Sequence, residues 1–193
     1  KLKSDGRIRS IGVSNFRVED LQRLADEGFT TPSVNQIELH PALTQRELQE
    51  VHAQRGIATE AWSPLAQGKV LEEKAVTDAA EAHGAEPGQV VLAWHLAQGT
   101  IVIPKTTHPQ RMTENLGAAN VTLTEAEVAL IPALDTDERV GADPATANFT
   151  MLSGLAERRP AVSVLPPGAD VWPCETLGPP PHGPPRPRPA PST

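Results

Sequence analysis

The sequence contains no tyrosine, so no phenol is available as a proton donor. Three Phe and three Trp complete a sparse aromatic set. A single cysteine, Cys174, permits no internal disulfide and suits a reducing cytoplasm. Lys and Arg total 17 against 24 Asp and Glu, a net charge of -7. That balance argues against general nucleic-acid or anionic-membrane binding, which draw on an excess of cations over a surface. No apolar run reaches the roughly 18 residues of a membrane span. No His, Cys and carboxylate set has metal-ligand spacing, so no metal site is expected. The opening KLKSDGRIRS has neither an initiator Met nor the apolar core of a signal peptide, and it reads as a start in mid-protein.

What is present divides into two regions. Residues 1–150 alternate short apolar strands with helical segments. Residues 151–193 hold 12 of the 20 prolines and no lysine, and they close on GPPPHGPPRPRPAPST. Proline lacks a backbone N–H and fixes φ, so this tail forms neither helix nor central strand and is expected to be disordered. Pro181 to Pro191 could serve as a proline-rich ligand for an SH3-type domain.

Strands are expected at IRSIGVSNF (8–16), SVNQIEL (33–39), GIATEAW (56–62) and TIVIP (100–104). Between them VEDLQRLADEG, TQRELQEVHAQRG and VLEEKAVTDAAEAHG carry helical spacing and end at glycine. Pro87 opens a further helix. Thr44 with Glu47, and Thr124 with Glu127, fit the pattern in which a hydroxyl and a carboxylate cap a helix reciprocally.

Alternating strands and helices imply a parallel sheet, because parallel neighbours need a crossover. Four such units fill about 140 residues, whereas an eight-unit barrel takes about 250, so they amount to half a barrel. A small doubly wound sheet is the competing fold, but no G-x-G-x-x-G turn follows any of these strands.

Barrels of this type carry their functional groups at the C-terminal ends of the strands. Here those ends bear Ser14 and Asn15, then Gln36 and Glu38, then Trp62 and Ser63, then Lys105 and Thr106. Singly each has a structural use: a helix cap, a strand-edge hydrogen bond, a core indole, a solvated charge. Lys105 and Arg111 also flank a helix start in VIPKTTHPQRMTEN, where exposed N–H groups and the helix dipole favour an anion.

In this order and at these separations, GRIRSIGVSNF, VNQIELHP, EAWSPLAQGK and VIPKTTHPQRMTEN resemble the second half of an aldo-keto reductase, in its bacterial diketogluconate-reductase-like branch. The resemblance runs from about residue 1 to residue 148 and omits the tail. It implies an α/β chain forming strands five to eight of a (β/α)8 TIM-type barrel that binds NADPH (or NADP) and reduces aldehydes and ketones, with a small carbonyl substrate. It assigns Ser14, Asn15 and Gln36 to the nicotinamide carboxamide and Trp62 to stacking on the nicotinamide ring. Ser63, Pro64, Leu65, Gln67 and Gly68 belong to a loop, ending at Lys69, over the pyrophosphate. Lys105, Thr106 and Arg111 fall to the adenosine 2′-phosphate, and Glu114 and Asn115 to the adenine. His108 is an auxiliary phosphate contact at most.

The same family uses Asp, Tyr, Lys and His from its first four strands as a catalytic tetrad. With no tyrosine here, no catalytic residue is assigned. His40 belongs to a structural His-Pro turn, and His52, His83 and His95 lie in expected helices as packing or surface groups. Glu38 and Glu60 point inward without forming a replacement tetrad. The expectation is an inactive half, prone to self-association through unpaired barrel edges. Its alternatives are a non-catalytic dinucleotide-binding or regulatory module and a non-functional remnant.

Overall fold

In the computed structural model, residues 2–147 are described. The proline-rich region expected to be disordered lies outside them. Four parallel strands form one sheet in chain order: β1 (Gly12–Ser14), β2 (Val34–Glu38), β3 (Ala58–Trp62) and β4 (Ile101–Val102). The intervening helices are α1 (Val18–Asp26), α2 (Arg46–Arg55), and then α3 (Lys74–His83) with α4 (Pro87–Ala97) between β3 and β4. Beyond β4 follow α5 (Pro109–Gly117) and α6 (Glu125–Leu130).

Strand period explains which groups face where, since successive side chains point to opposite faces. Val13, Ile37, Ala61 and Val102 join Leu21 and Leu48 in a core between the sheet and α1 and α2. A second core joins Val76, Ala79 and Ala80 of α3 to Val90, Val91 and Trp94 of α4 and to Ile131. Burying each such large apolar side chain is worth about 1.5–3 kcal/mol. The other face carries Ser14, Gln36, Glu38, Glu60 and Trp62, together with Ile101 and Ile103, which remain 46% and 44% exposed. Among the described residues, β1 and β4 each have one strand neighbour, so both flanks of the sheet are open.

Several helix ends follow local chemistry, and two depart from it. Gly56 and Gly84 close α2 and α3 in the left-handed region, at φ 66° and 58°, where glycine pays no Cβ penalty. Thr124 and Glu127 cap α6 reciprocally, the Thr124 N–H donating to the Glu127 carboxylate at 2.7 Å and the Glu127 N–H to the Thr124 hydroxyl at 3.2 Å. The expected Thr44 and Glu47 cap does not form. Gln45, at φ 46°, occupies the capping position, and the Thr44 hydroxyl and N–H both donate to the Asp135 carboxylate, 91 residues away. A tertiary carboxylate has outcompeted the helix for that hydroxyl. The helix expected from residue 70 begins only at Lys74, because the chain turns through Gly68 to Glu73 and buries Val70.

Candidate functional site

The first group of side chains sits where β1, β2 and β3 end. Just past β1, Asn15 adopts φ 58°, a left-handed conformation that Asn tolerates better than most residues. Its N–H donates to the Gln36 carbonyl at 2.8 Å, and the Ser14 hydroxyl donates to the same carbonyl at 3.2 Å. The Trp62 indole N–H donates to Asn15 Oδ1 at 2.8 Å, and Gln36 Nε2 donates to Glu60 Oε1 at 2.6 Å. Gly141 lies against the indole so closely that an added Cβ would collide with Cη2 and Cζ3. Ser14, Asn15, Gln36 and Trp62 are thus one linked set drawn from three strands.

Behind that set lies a buried polar network. Asn35 Nδ2 donates to the Phe16 carbonyl at 2.8 Å, and Asn35 Oδ1 accepts from the Phe16 N–H at 3.3 Å. This holds the backbone immediately after Asn15. Asn35 Nδ2 also approaches His52 Nε2 at 3.0 Å, while His52 Nδ1 lies 2.9 Å from the Thr59 hydroxyl. Donation by the Asn35 amide leaves Nε2 as the acceptor and places the His52 proton on Nδ1, donated to Thr59. Burial pushes the His52 pKa down, which keeps the ring neutral in that role.

The second group surrounds a groove of about 440 Å³ lined by the loop residues Ser63, Pro64, Leu65, Gln67 and Gly68, and by Pro104, Lys105 and Arg111. The loop turns sharply: Ser63, Ala66, Gln67 and Gly68 have φ of 49°, 47°, 56° and 94°. It is pinned from behind by His95 of α4, whose Nε2–H donates to the Pro64 carbonyl at 3.1 Å. His95 is fully buried, and desolvation lowers its pKa to about 4. β4 delivers Lys105 to the groove, and the first turn of α5 delivers Arg111. Neither forms an ion pair with a described residue.

Not every sequence-selected residue reaches that groove. The Thr106 hydroxyl accepts from the His108 N–H at 3.1 Å, and Glu114 accepts from Gln110 Nε2 at 2.8 Å along α5. Neither these two nor Asn115 is among the groove's lining residues. Ser63 connects the two groups, following Trp62 directly and lining the groove.

Sequence reasoning gave Glu38 no function and missed what it holds. Fully buried, its Oε1 accepts from the N–H groups of Val140 and Gly141 at 2.6 and 3.1 Å, and lies 3.2 Å from His40 Nε2. Arg139 approaches Oε2 at 3.7 Å. Burial lowers the His40 pKa, while the neighbouring Glu38 works in the opposite direction. The Thr136 and Glu138 N–H groups both donate to the Ala42 carbonyl at 3.2 Å, and Lys69 pairs with Glu138 at 2.9 Å. Residues 135–141 are therefore strapped over the end of β2, which seats Gly141 on Trp62. No local pattern signals a contact between positions 102 residues apart. Among the described residues no cluster suits a metal ion, and no helix is long and apolar enough to cross a membrane.

The profile of the Aldo/keto reductase family matches residues 1–136. The chain belongs to that family. An aldo-keto reductase of Mycobacterium sp. strain KMS is 53% identical over 150 residues, covering 78% of this chain and 54% of the relative. The methylglyoxal reductase DkgA of Escherichia coli K12 is 46% identical over 146 residues, covering 75% and 53%. The crystal structure of a Gox0644 D53A mutant in complex with NADPH is 48% identical at a TM-score of 0.73, over 77% of this chain and 55% of that one. The four-stranded parallel α/β sheet thus matches aldo-keto reductase barrels. This chain spans about half the length of the relatives it matches.

Proposed function

We propose that this chain supplies strands five to eight of an aldo-keto reductase barrel and, with them, the face that holds NADPH. One observation carries the reading: Lys105 and Arg111, from separate elements and without ion-pair partners among the described residues, line one groove with the tightly turned loop after β3. Such a groove suits a phosphorylated ligand, because lysine offers a compact charge and arginine a planar fork for phosphate oxygens. The linked polar set beside it suits the uncharged end of the same ligand. The Gox0644 complex with NADPH supports this choice of dinucleotide.

In this reading Lys105, Thr106 and Arg111 hold the 2′-phosphate, with Glu114 and Asn115 beside the adenine. Ser63, Pro64, Leu65, Gln67 and Gly68 cover the pyrophosphate. Ser14, Asn15 and Gln36 orient the carboxamide, and Trp62 offers its indole to the nicotinamide ring. The bound cofactor supplies a hydride to a carbonyl carbon. These residues fix which face of the ring is presented, and the strap through Glu38 shapes the neighbouring wall by holding Gly141 against the indole.

Proton delivery to the carbonyl oxygen is not provided for here, since the chain has no tyrosine. Reduction of small aldehydes and ketones, in the cytoplasm, belongs to the barrel completed by a half bearing the tetrad. The open flanks at β1 and β4 and the exposed Ile101 and Ile103 are where completion, or self-association, would occur. The missing phenol equally favours a second reading, a dinucleotide-binding module without turnover. The decisive experiment titrates the 193-residue chain with NADPH and NADH, following tryptophan fluorescence, and assays carbonyl-dependent NADPH oxidation in parallel. NADPH binding without oxidation supports the reading. Equal affinity for both dinucleotides removes the phosphate from it, and steady turnover overturns the assignment of the proton donor to another half.

A further inference from the structure

Ser14, Gln36, Glu60 and Ile101 stand in one register row across all four strands, on the sheet face that carries the polar set. Within that row Gln36 Nε2 donates to Glu60 Oε1 at 2.6 Å, and both side chains are only half-buried. An ionised carboxylate accepts hydrogen bonds and donates none. Glu60 therefore dictates which end of the Gln36 amide turns toward it, leaving the carbonyl oxygen Oε1 as the end presented elsewhere. Without such a neighbour a glutamine amide can rotate and offer either a donor or an acceptor. The adjoining Asn15 is set in a related way, its Oδ1 held by the Trp62 indole.

We infer that Glu60 is a positioning residue which sets the Gln36 amide so that it accepts from an N–H donor, and so makes the site selective for a carboxamide over a carbonyl substituent lacking the NH2 group. This rests on the reading that Gln36 faces the nicotinamide carboxamide. Glu60 touches neither the ring nor the reacting atoms and acts through Gln36. The chemistry recognised is a primary amide on a pyridine ring; an acetyl group in its place keeps the carbonyl oxygen and loses both donors.

The test compares three ligands on the 193-residue chain by tryptophan fluorescence: NADP, its 3-acetylpyridine analogue, and 2′-phospho-ADP-ribose, which lacks the ring altogether. With the unaltered chain, NADP is expected to bind about five- to tenfold more tightly than the acetyl analogue, the worth of one ordinary hydrogen bond. In Glu60→Gln, whose amide can both donate and accept, and in Glu60→Leu, which does neither, that preference is expected to fall to about twofold or less. Affinity for 2′-phospho-ADP-ribose stays unchanged in both variants, because Lys105 and Arg111 are untouched, and it reports that the fold survives. A preference for NADP that persists undiminished in both variants overturns the role of Glu60 while leaving the cofactor reading intact. Failure of the unaltered chain to bind 2′-phospho-ADP-ribose or NADP overturns that reading, and this inference with it.

Discussion

The two halves of the site are built on opposite principles. Where β1 to β3 end, polar groups satisfy one another: Asn15 with Trp62, Gln36 with Glu60, and Asn35 with His52 and the Phe16 backbone. At the β4 end, Lys105 and Arg111 line a groove with no carboxylate among the described residues to neutralise either. The difference follows from cost. A half-buried amide or indole left without a partner loses about 1–3 kcal/mol, so those groups are held in advance. An exposed cation is stabilised by water and can wait for its anion at little expense. On the proposed function, shape recognition is thus prearranged by the protein, and charge recognition is left for the ligand to complete.

The largest test of that contrast removes Glu38. In Glu38→Ala the N–H groups of Val140 and Gly141 lose their acceptor and Arg139 and His40 lose their partner, so a cost of about 3–5 kcal/mol is expected in urea unfolding. A cost under about 1 kcal/mol would mean that the strap is replaced by water and that the half at the ends of β1 to β3 is not internally braced.

Acid acts on the groove half, through His95, which holds the Pro64 carbonyl of its loop. Its pKa is near 4 in the fold, against about 6.5 when unfolded, so between those values the unfolded chain binds the extra proton. The contribution is complete above about pH 6.5 and is lost as the pH falls to about 4, a change of about 3 kcal/mol. Chemical denaturation at pH 7, 5.5 and 4 measures it, and the lowered pKa values of His52 and His40 act in the same direction. His95→Gln, which keeps a donor for Pro64, is expected to flatten the profile. An unaltered profile in that variant would assign the acid sensitivity elsewhere.

Arg111→Ala probes the charged half, and its effect is expected in affinity rather than stability. Charge-assisted hydrogen bonds of about 1.5–3 kcal/mol correspond to a ten- to a hundredfold loss of NADPH affinity. NADH, without the 2′-phosphate, is expected to bind as before, and the urea midpoint is expected not to move. Equal losses for both dinucleotides would show that Arg111 supports the fold. Smallest of all, Lys69→Ala removes an exposed ion pair to Glu138, which links the groove loop to the strap. Exposed pairs are weak and screened by salt, so no measurable change in melting temperature is expected at physiological ionic strength. A clear drop would mean that the two halves are mechanically coupled.

Local pattern was enough to locate the elements. The four strands lie inside the segments expected from apolar and β-branched runs, because strand formation here needs little beyond a pleated apolar face. Gly56 and Gly84 mark helix ends for a reason contained in one residue, the absent Cβ. The lack of tyrosine and the order of GVSNF, NQIELHP, AWSPLAQGK and IPKTTHPQR were equally open to reading from the chain alone. Which groups those motifs set against one another was not. Thr44 binds Asp135 rather than its own helix, Glu38 closes on Val140 and Gly141, and the buried helix residues His52 and His95 also hydrogen-bond, His52 to Asn35 and Thr59 and His95 to the Pro64 carbonyl. Parallel register alone places Gln36 beside Glu60. A hydrogen bond depends on angstrom-scale distance and on which competing partner is closest once the chain has collapsed, and positions 91 to 102 residues apart carry no local sign of that outcome.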